Sequence, residues 1–573
     1  MSRKKVFFIG FISIVGVVAL YVLTVVVLGI WFLKNLENGS LDKAANQAKI
    51  LQIATVWTQK TPIGFAPFTT IYQISNISLE LKKVKDSSET FFSNVLDNPE
   101  AQNETAWRAL SQATTTLLNK FEEMQHILTD PTIRFLASIT GKEKNLNALT
   151  QKLTELETYQ GTIQSFMQIA PQFLGFWEPK KYTVLLQNNR EIRPTGGFIG
   201  SYGQLTFQKA RLTNYLVQDI YVPDGAIAGH VNPPEPIQEA FGQGWWRLRD
   251  SNWDPNFAKA SETMTWFFEK GGVDPGDGII GLNLEVLEDV VDILGPIKVA
   301  DYGQEITGDN IYSIAQYEAE RDFFPGSTQK KDFLQALSKQ LFFAASHASA
   351  DQLVQILDVI AKHLKQKNIQ FYFKDQTLQA WARAQGWSGE LKLPKDDRVS
   401  SDYLFFVEAN LGANKANCCI MRGATQIVTQ QEKAYQVSVD YLVENHSIAA
   451  NPQPPKFWGG NYKNYLRILL PAQAKLPQVQ VDGQAIAAAD LSRKVRIDEG
   501  LQELGFFVPV SFQQQSTVSL SYVLPKNQNY PYQLTVVKQS GIPGFWYSVE
   551  LIENGKTMQA KRWLDQDQVF TFN

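Results

Sequence analysis

Four patterns of hydrophobic and polar positions follow one another along the chain. From Val6 to Leu33 no residue is charged, and Val, Ile, Leu and Phe recur throughout. Roughly 28 residues at about 1.5 Å each reach about 42 Å, enough to cross a hydrocarbon core of about 30 Å with tilt. The run is longer than the apolar core of a cleaved signal peptide, so 6–33 is expected to be a transmembrane anchor. Arg3, Lys4 and Lys5 make residues 1–5 a basic tail, while Lys34 and Lys43 beyond the run are offset by Glu37 and Asp42. That asymmetry places the N-terminus in the cytoplasm and the rest of this single-pass chain outside the cell membrane.

Residues 40–175 carry apolar positions spaced by threes and fours. One stripe is Ile74, Ile77, Leu81, Val84, Phe91 and Val95; others are Trp107, Leu110, Leu117 and Phe121, then Leu146, Leu149, Leu153 and Leu156. Such near-heptad stripes predict an antiparallel helical bundle. At Lys181 the period changes. Tyr182–Leu186 and Phe198–Phe207 read as strands, Ala258–Lys270 as a helix, Gly278–Leu282 as a strand, and Leu284–Leu294 and Asp332–Ala345 as helices. This alternation predicts an α/β domain over 178–367. Residues 368–423 read as a mixed connector with an amphipathic stretch, Gln376–Gln385, and a strand, Tyr403–Val407. From 424 to 573 the period is two, as in Tyr435, Val437, Val439, Tyr441 and Val443, with turn clusters between the runs. A C-terminal antiparallel β-sandwich follows. The expected fold is therefore multidomain, α and β.

Composition narrows the chemistry. Fifty-four Lys and Arg against 57 Asp and Glu leave a formal charge of -3 in 573 residues, which argues against a nucleic-acid partner. The only cysteines are the adjacent Cys418 and Cys419. They supply neither a disulfide framework nor a zinc site, and adjacency disfavours a bridge between them. Phosphate-loop, zinc-protease, nucleophile-elbow and dinucleotide motifs are absent from the sequence.

What stands out is the polar run after the first α/β strand: Asn188, Asn189, Arg190, Glu191 and Arg193, then Pro194-Thr-Gly-Gly197. Strand ends of α/β sheets collect ligands, Gly196 and Gly197 can expose N–H groups to an anion, and Arg193 can add a bidentate fork. A tight turn fixed by an Arg–Glu pair explains the same residues. Asp219, Asp224 and Asp254 provide carboxylates of the kind that hold Mg²⁺ beside phosphate, although each also suits a turn or helix cap.

The segments Asn188–Gly200, Arg249-Asp-Ser-Asn-Trp253 and Asn410-Leu-Gly-Ala-Asn-Lys415 closely resemble an uncharacterised bacterial membrane family, domain of unknown function 4012, over 180 to about 470. Separately, Gly278–Val299, followed by Thr307-Gly308 and a helix near Gln329, resembles the central segment of LytR-CpsA-Psr proteins. Those are single-pass enzymes of α/β fold that transfer glycopolymers from polyprenyl-pyrophosphate carriers, using arginines and Asp-held Mg²⁺. The resemblance implies catalytic roles for Arg193 on phosphate and Asp219 on the metal. Two departures stand against it. Gln218 replaces an arginine, and Ser327-Thr-Gln-Lys-Lys331 replaces an arginine cluster, so Lys330 and Lys331 would offer point charges without a fork.

The resulting expectation is a membrane-anchored cell-envelope protein that binds or transfers a phosphorylated glycopolymer or polyprenyl-pyrophosphate-linked precursor. Asn188, Asn189, Arg190, Gly196, Gly197, Lys330 and Lys331 would line the ligand site, and Asp219, Asp224 and Asp254 would hold Mg²⁺. The competing expectation is a non-catalytic envelope scaffold or adhesion protein with a degenerate α/β domain.

Overall fold

A computed structural model describes residues 45–52, 66–97, 103–120 and 143–572, leaving aside 243, 300–303, 321–328, 395, 397, 453–457 and 528–529, with isolated positions between 43 and 141. The expected tail at 1–5 and anchor at 6–33 lie outside the described residues. Among the described residues no helix is long and apolar enough to cross a membrane. The chain forms two compact units, residues 1–178 with 209–211, and residues 179–208 with 212–573.

The first unit contains helices Ala66–Asp97, Asn103–Leu118 and Glu143–Phe173. Their stripes meet as the spacing requires. Phe91 and Trp107 have ring centroids 5.2 Å apart, and Leu81, Leu117, Leu146 and Ile163 gather around buried Leu118 and Leu128.

The second unit opens with a five-stranded mixed sheet. Its strands are β1 (Lys180–Asn188), β2 (Phe198–Gln208), β3 (Arg211–Asp219), β4 (Gly278–Asn283) and, after a short ladder of β5 (Ile297–Val299) with β6 (Gln304–Ile306), β7 (Ile369–Phe373). The order is β3-β2-β1-β4-β7. β1 runs parallel to β4 and antiparallel to β2, and β7 is antiparallel to β4. Helix Phe257–Lys270, whose Asn256 cap accepts from the Lys259 N–H, packs Phe257, Met264, Phe267 and Phe268 against Leu185, Ile199, Tyr202 and Ile279. Between Leu186 and Gln187 the β1–β2 register slips. A bulge there re-aims the chain where the polar run begins.

Two larger sheets follow. Their strands are β8 (Ser400–Asn410), β9 (Ile420–Gln430), β10 (Ala434–Asn445), β11 (Tyr462–Pro471), β12 (Lys475–Val481), β13 (Gln484–Ala485), β14 (Ser492–Arg496), β15 (Leu501–Val510), β16 (Gln515–Pro525), β17 (Tyr532–Val537), β18 (Phe545–Glu553), β19 (Lys556–Leu564) and β20 (Gln568–Thr571). The seven-stranded sheet has the order β13-β12-β16-β10-β9-β18-β19, and the six-stranded sheet β14-β15-β11-β8-β17-β20. Tyr435, Val437, Val439, Tyr441 and Val443 all point inward, where they join Leu466, Ile468, Leu504 and Phe506 of the other sheet in one core. Most pairs are antiparallel, as expected, but β8–β17 and β9–β18 are parallel. Their partners are more than a hundred residues apart, long enough for the crossover a parallel pair demands.

Residues 368–423, expected as a connector, are shared out: β7 completes the first sheet, while β8 and the start of β9 belong to the sandwich. Cys418 and Cys419, whose adjacency was expected to disfavour a bridge, instead form a vicinal disulfide in the 3₁₀ turn Ala416–Cys419. The turn supplies backbone geometry that an extended strand would not.

Candidate functional site

The three motif segments converge. Lys415 Nζ lies 2.7 Å from Glu191 Oε2, Glu191 Oε1 lies 3.0 Å from Arg193, and Arg193 lies 3.1 Å from Asp250 Oδ1. The chain continues from Asp250 Oδ2 to Arg249 at 3.6 Å and from Arg249 to Asp224 at 2.8 Å. Cations and anions alternate along this line, so six charged groups cancel. Each is deeply or largely buried, and pairing is what makes such burial tolerable. Burial would raise the Glu191 carboxyl, but Lys415 and Arg193 outweigh it and hold the group below its ordinary range. For Asp224 the balance reverses: burial outweighs Arg249 and the Leu248 N–H, and the carboxyl is pushed up.

Arg193 is the centre of the junction and is 2% exposed. Its Nε and Nη2 donate to Asp250, Nη2 also to Glu191, and Nη1 to the carbonyls of Ile192 and Asn410. Every donor of the guanidinium is therefore engaged, with none left to grip a phosphate. Gln539 donates to the Arg193 carbonyl, and Asn417 accepts from the Ile192 N–H. Arg193 thus ties the α/β loop to the sandwich.

The glycine loop is also turned inward. Residues 191–197 are all buried. Gly196 has φ 139°, and a Cβ there would lie 2.3 Å from Asn283 Oδ1; one on Gly197 would lie 2.3 Å from the Asn188 carbonyl carbon. The Gly196 N–H donates to the Arg193 carbonyl and the Phe198 N–H to the Glu191 carbonyl. The expected anion cradle is a close-packed turn.

The other sequence candidates divide. Asn188 Oδ1 accepts from the Arg190 N–H, and Asn189 donates to Glu285 and the Gly541 carbonyl. Arg190 lies over the rings of both Tyr312 and Trp458, which pack edge to face, at 5.7 and 5.5 Å from their centroids. Lys330 belongs to helix Gln329–Ser346. Lys331, Asn188, Arg193, Asp219 and Asp224 border one cleft of about 1370 Å³, and Asp254 does not. Asp254 accepts instead from Arg496 and from the Asn256 N–H.

These carboxylates do not fit a magnesium site. Asp224 has one oxygen on the Leu248 N–H at 2.6 Å and the other on Arg249, Asp219 Oδ1 takes the Tyr221 N–H, and Asp254 is held elsewhere. Among the described residues no group of three or more His, Cys, Asp or Glu side chains is placed to hold a metal ion.

The cleft offers a different chemistry. Tyr221, Val222 and Trp245 are exposed around it, at 44%, 56% and 51%. The Arg247 guanidinium lies 4.8 Å from the Trp245 centroid, and Arg249 lies 5.1 Å from that of Tyr221. Arg247 donates only to the Asp224 carbonyl and, like Lys331, makes no ion pair among the described residues. Trp245 and Arg247 escape sequence reasoning because neither completes a motif; the alternation Trp245-Trp-Arg-Leu-Arg249 is the only signal.

The comparisons with known proteins agree with part of the expectation. No curated protein matches the chain. Neither comparison supports the resemblance to LytR-CpsA-Psr proteins. The part of the chain holding β1 to β4 and most of the cleft, residues 178–319, matches the model of a family described as protein of unknown function (DUF4012).

Proposed function

We propose that this is a membrane-tethered protein of the cell envelope that binds a phosphorylated or otherwise anionic glycopolymer in its cleft without transferring it. The observation that carries the reading is the cleft wall itself. Exposed aromatic surface from Tyr221 and Trp245 stands beside two cations, Arg247 and Lys331, that make no ion pair among the described residues, Arg247 donating only to the Asp224 carbonyl. Aromatic faces take the C–H face of a sugar, and guanidinium or ammonium groups take its charged substituents. The neutral charge chain on the floor provides rigidity in place of reactivity. The uncharged run at 6–33 supports the anchor and the extracytoplasmic placement.

A transferase of LytR-CpsA-Psr type would need a free arginine fork and convergent carboxylates. Arg193, Asp224 and Asp254 are committed to internal partners, which favours binding over transfer.

The test uses full-length protein in detergent and farnesyl-pyrophosphate-linked N-acetylglucosamine as probe, titrated calorimetrically with Mg²⁺ and with a chelator. Saturable binding in both, lost in the Arg247→Ala/Lys331→Ala variant and unaccompanied by turnover, is the expected result. Mg²⁺-dependent cleavage of the pyrophosphate would replace this reading with the transferase. Absence of binding at millimolar probe would leave the scaffold.

A further inference from the structure

The outer face of the seven-stranded sheet carries side chains that neither the core nor the cleft uses. In β18, Phe545, Tyr547, Val549 and Leu551 are buried in the sandwich. Period two therefore turns Trp546, Ser548, Glu550 and Ile552 outward. Trp546 stands opposite Trp563 on β19 and opposite Gly423 on β9. The two indoles are 51% and 46% exposed, with ring centroids 5.3 Å apart at 73°. One step along the sheet the row is polar: Lys561, Ser548 and Thr425. Beyond it, Gln559 donates to Glu550.

Two glycines shape this surface. At Gly423 a Cβ would find nothing within 4 Å, so the sheet beside Trp546 is an open floor. At Gly544 a Cβ would lie 2.3 Å from Trp563 Nε1, so that indole sits where it does only because residue 544 lacks a side chain. Lys561 Nζ lies 5.0 Å from the Trp546 ring centroid and makes no ion pair among the described residues.

We propose that this face is a second glycan site, separate from the cleft, for a sugar chain bearing carboxylates. A pyranose presents an apolar C–H face, which an indole covers, and a rim of hydroxyls, which Ser548, Thr425 and the Gln559–Glu550 pair meet. The unpaired Lys561 ammonium supplies the counter-charge for a uronate. A protein partner fits less well. A stable interface needs a total of about 1,200 Å² or more with an apolar centre. Here the indoles are bordered by a polar row, which stands between them and Ile427 of β9. Strand addition is opposed as well, since the edge strand β19 carries Lys556, Lys561 and Arg562.

Affinity electrophoresis of the full-length protein in detergent tests this, with alginate in one gel and neutral dextran in another. Alginate is expected to retard the native chain and dextran to leave it unretarded. Trp546→Ala, Trp563→Ala and Lys561→Gln should each weaken retardation by about tenfold or more, the loss of one well-used contact. Gly423→Leu, which fills the floor while keeping both indoles, should weaken it too. The Arg247→Ala/Lys331→Ala variant should keep a retardation in alginate that still depends on Trp546. The proposal is overturned by a native chain that alginate does not retard, by Trp546→Ala behaving as native, or by loss of retardation in the cleft variant. A concentration-dependent dimer that Trp546→Ala abolishes would make the face a self-interface, which overturns it equally.

Discussion

Arg193 and Arg247 both border the same cleft, yet they do opposite work. Arg193 spends all its donors on Glu191, Asp250 and two carbonyls inside the protein, whereas Arg247 spends one on the Asp224 carbonyl and rests on Trp245. Residue type is the same; what differs is how much hydrogen-bonding capacity remains for a ligand. The polar run at 188–200 is thus a joint between sheet and sandwich, and the binding chemistry proposed above falls mainly on the less conspicuous segment at 219–249.

The sharpest way to break this comparison is Arg193→Ala. It strands Glu191 and Asp250 without their shared cation in a buried setting. Breaking such a pair costs about 3–5 kcal/mol, so denaturant unfolding should show a large loss of stability. Arg193→Lys should fall between, because it keeps the charge and loses the fork. A variant that is fully stable but fails to bind the phosphorylated probe would return Arg193 to the ligand site.

Next in size is an effect of pH, in which the joint and the sandwich core should differ in sign. Asp402 lies in the core with Tyr522 and Tyr532 donating to it, and burial, outweighing those hydrogen bonds, pushes its carboxyl up to about 6. A raised carboxyl contributes stability that is fully present below its unfolded value near 4 and is lost as pH rises through about 6. A shift of about two units corresponds to about 3 kcal/mol. Unfolding at pH 4 and pH 8 should therefore show the stability gap between native protein and Asp402→Asn changing by about that amount, in favour of the variant at pH 8. Glu191, held low by Lys415 and Arg193, contributes in the other direction: its share is present above the unfolded value and disappears as the medium becomes acidic. Glu191→Gln should accordingly lose most relative to native at neutral pH. Equal pH profiles for the two variants would contradict the assignment.

A smaller effect is expected at Gly196, where φ is 139° and a Cβ would collide with Asn283. Gly196→Ala should cost about 1–3 kcal/mol through strain and overpacking. If the loop were an open anion cradle, alanine would mainly reduce affinity, and thermal unfolding would hardly move.

Much of the architecture was legible because it repeats. Helix Leu284–Leu294 and the inward residues of β10 fall where their periods place them. β8 was only half visible: from Asp402 to Asn410 every residue is buried, so alternation, the usual sign of a strand, is erased. The candidate site was legible as a location and misread as chemistry. Gly196, Gly197 and Arg193 have the composition of an anion site, and only the tertiary partners Asn283, Asn410 and Asp250 reveal that their capacity is used up. Trp546 and Trp563 were missed because seventeen positions separate them, and only the β18–β19 register makes them neighbours.

The smallest structural effect should come from the residues with the largest functional one. Arg247→Ala and Lys331→Ala each remove a group without an ion pair among the described residues. Substitutions of this kind usually change stability by less than about 0.5 kcal/mol. Their loss should instead appear in affinity for the phosphorylated probe and in its salt dependence, since both cations are partly exposed and attract an anion through a screened field. If both variants unfold as native does while binding falls, the unspent side chains carry the ligand and the spent ones carry the fold. If binding survives both, the cleft loses its claim, and the indole face of the sandwich, which shares none of these residues, is left to be judged by its own variants.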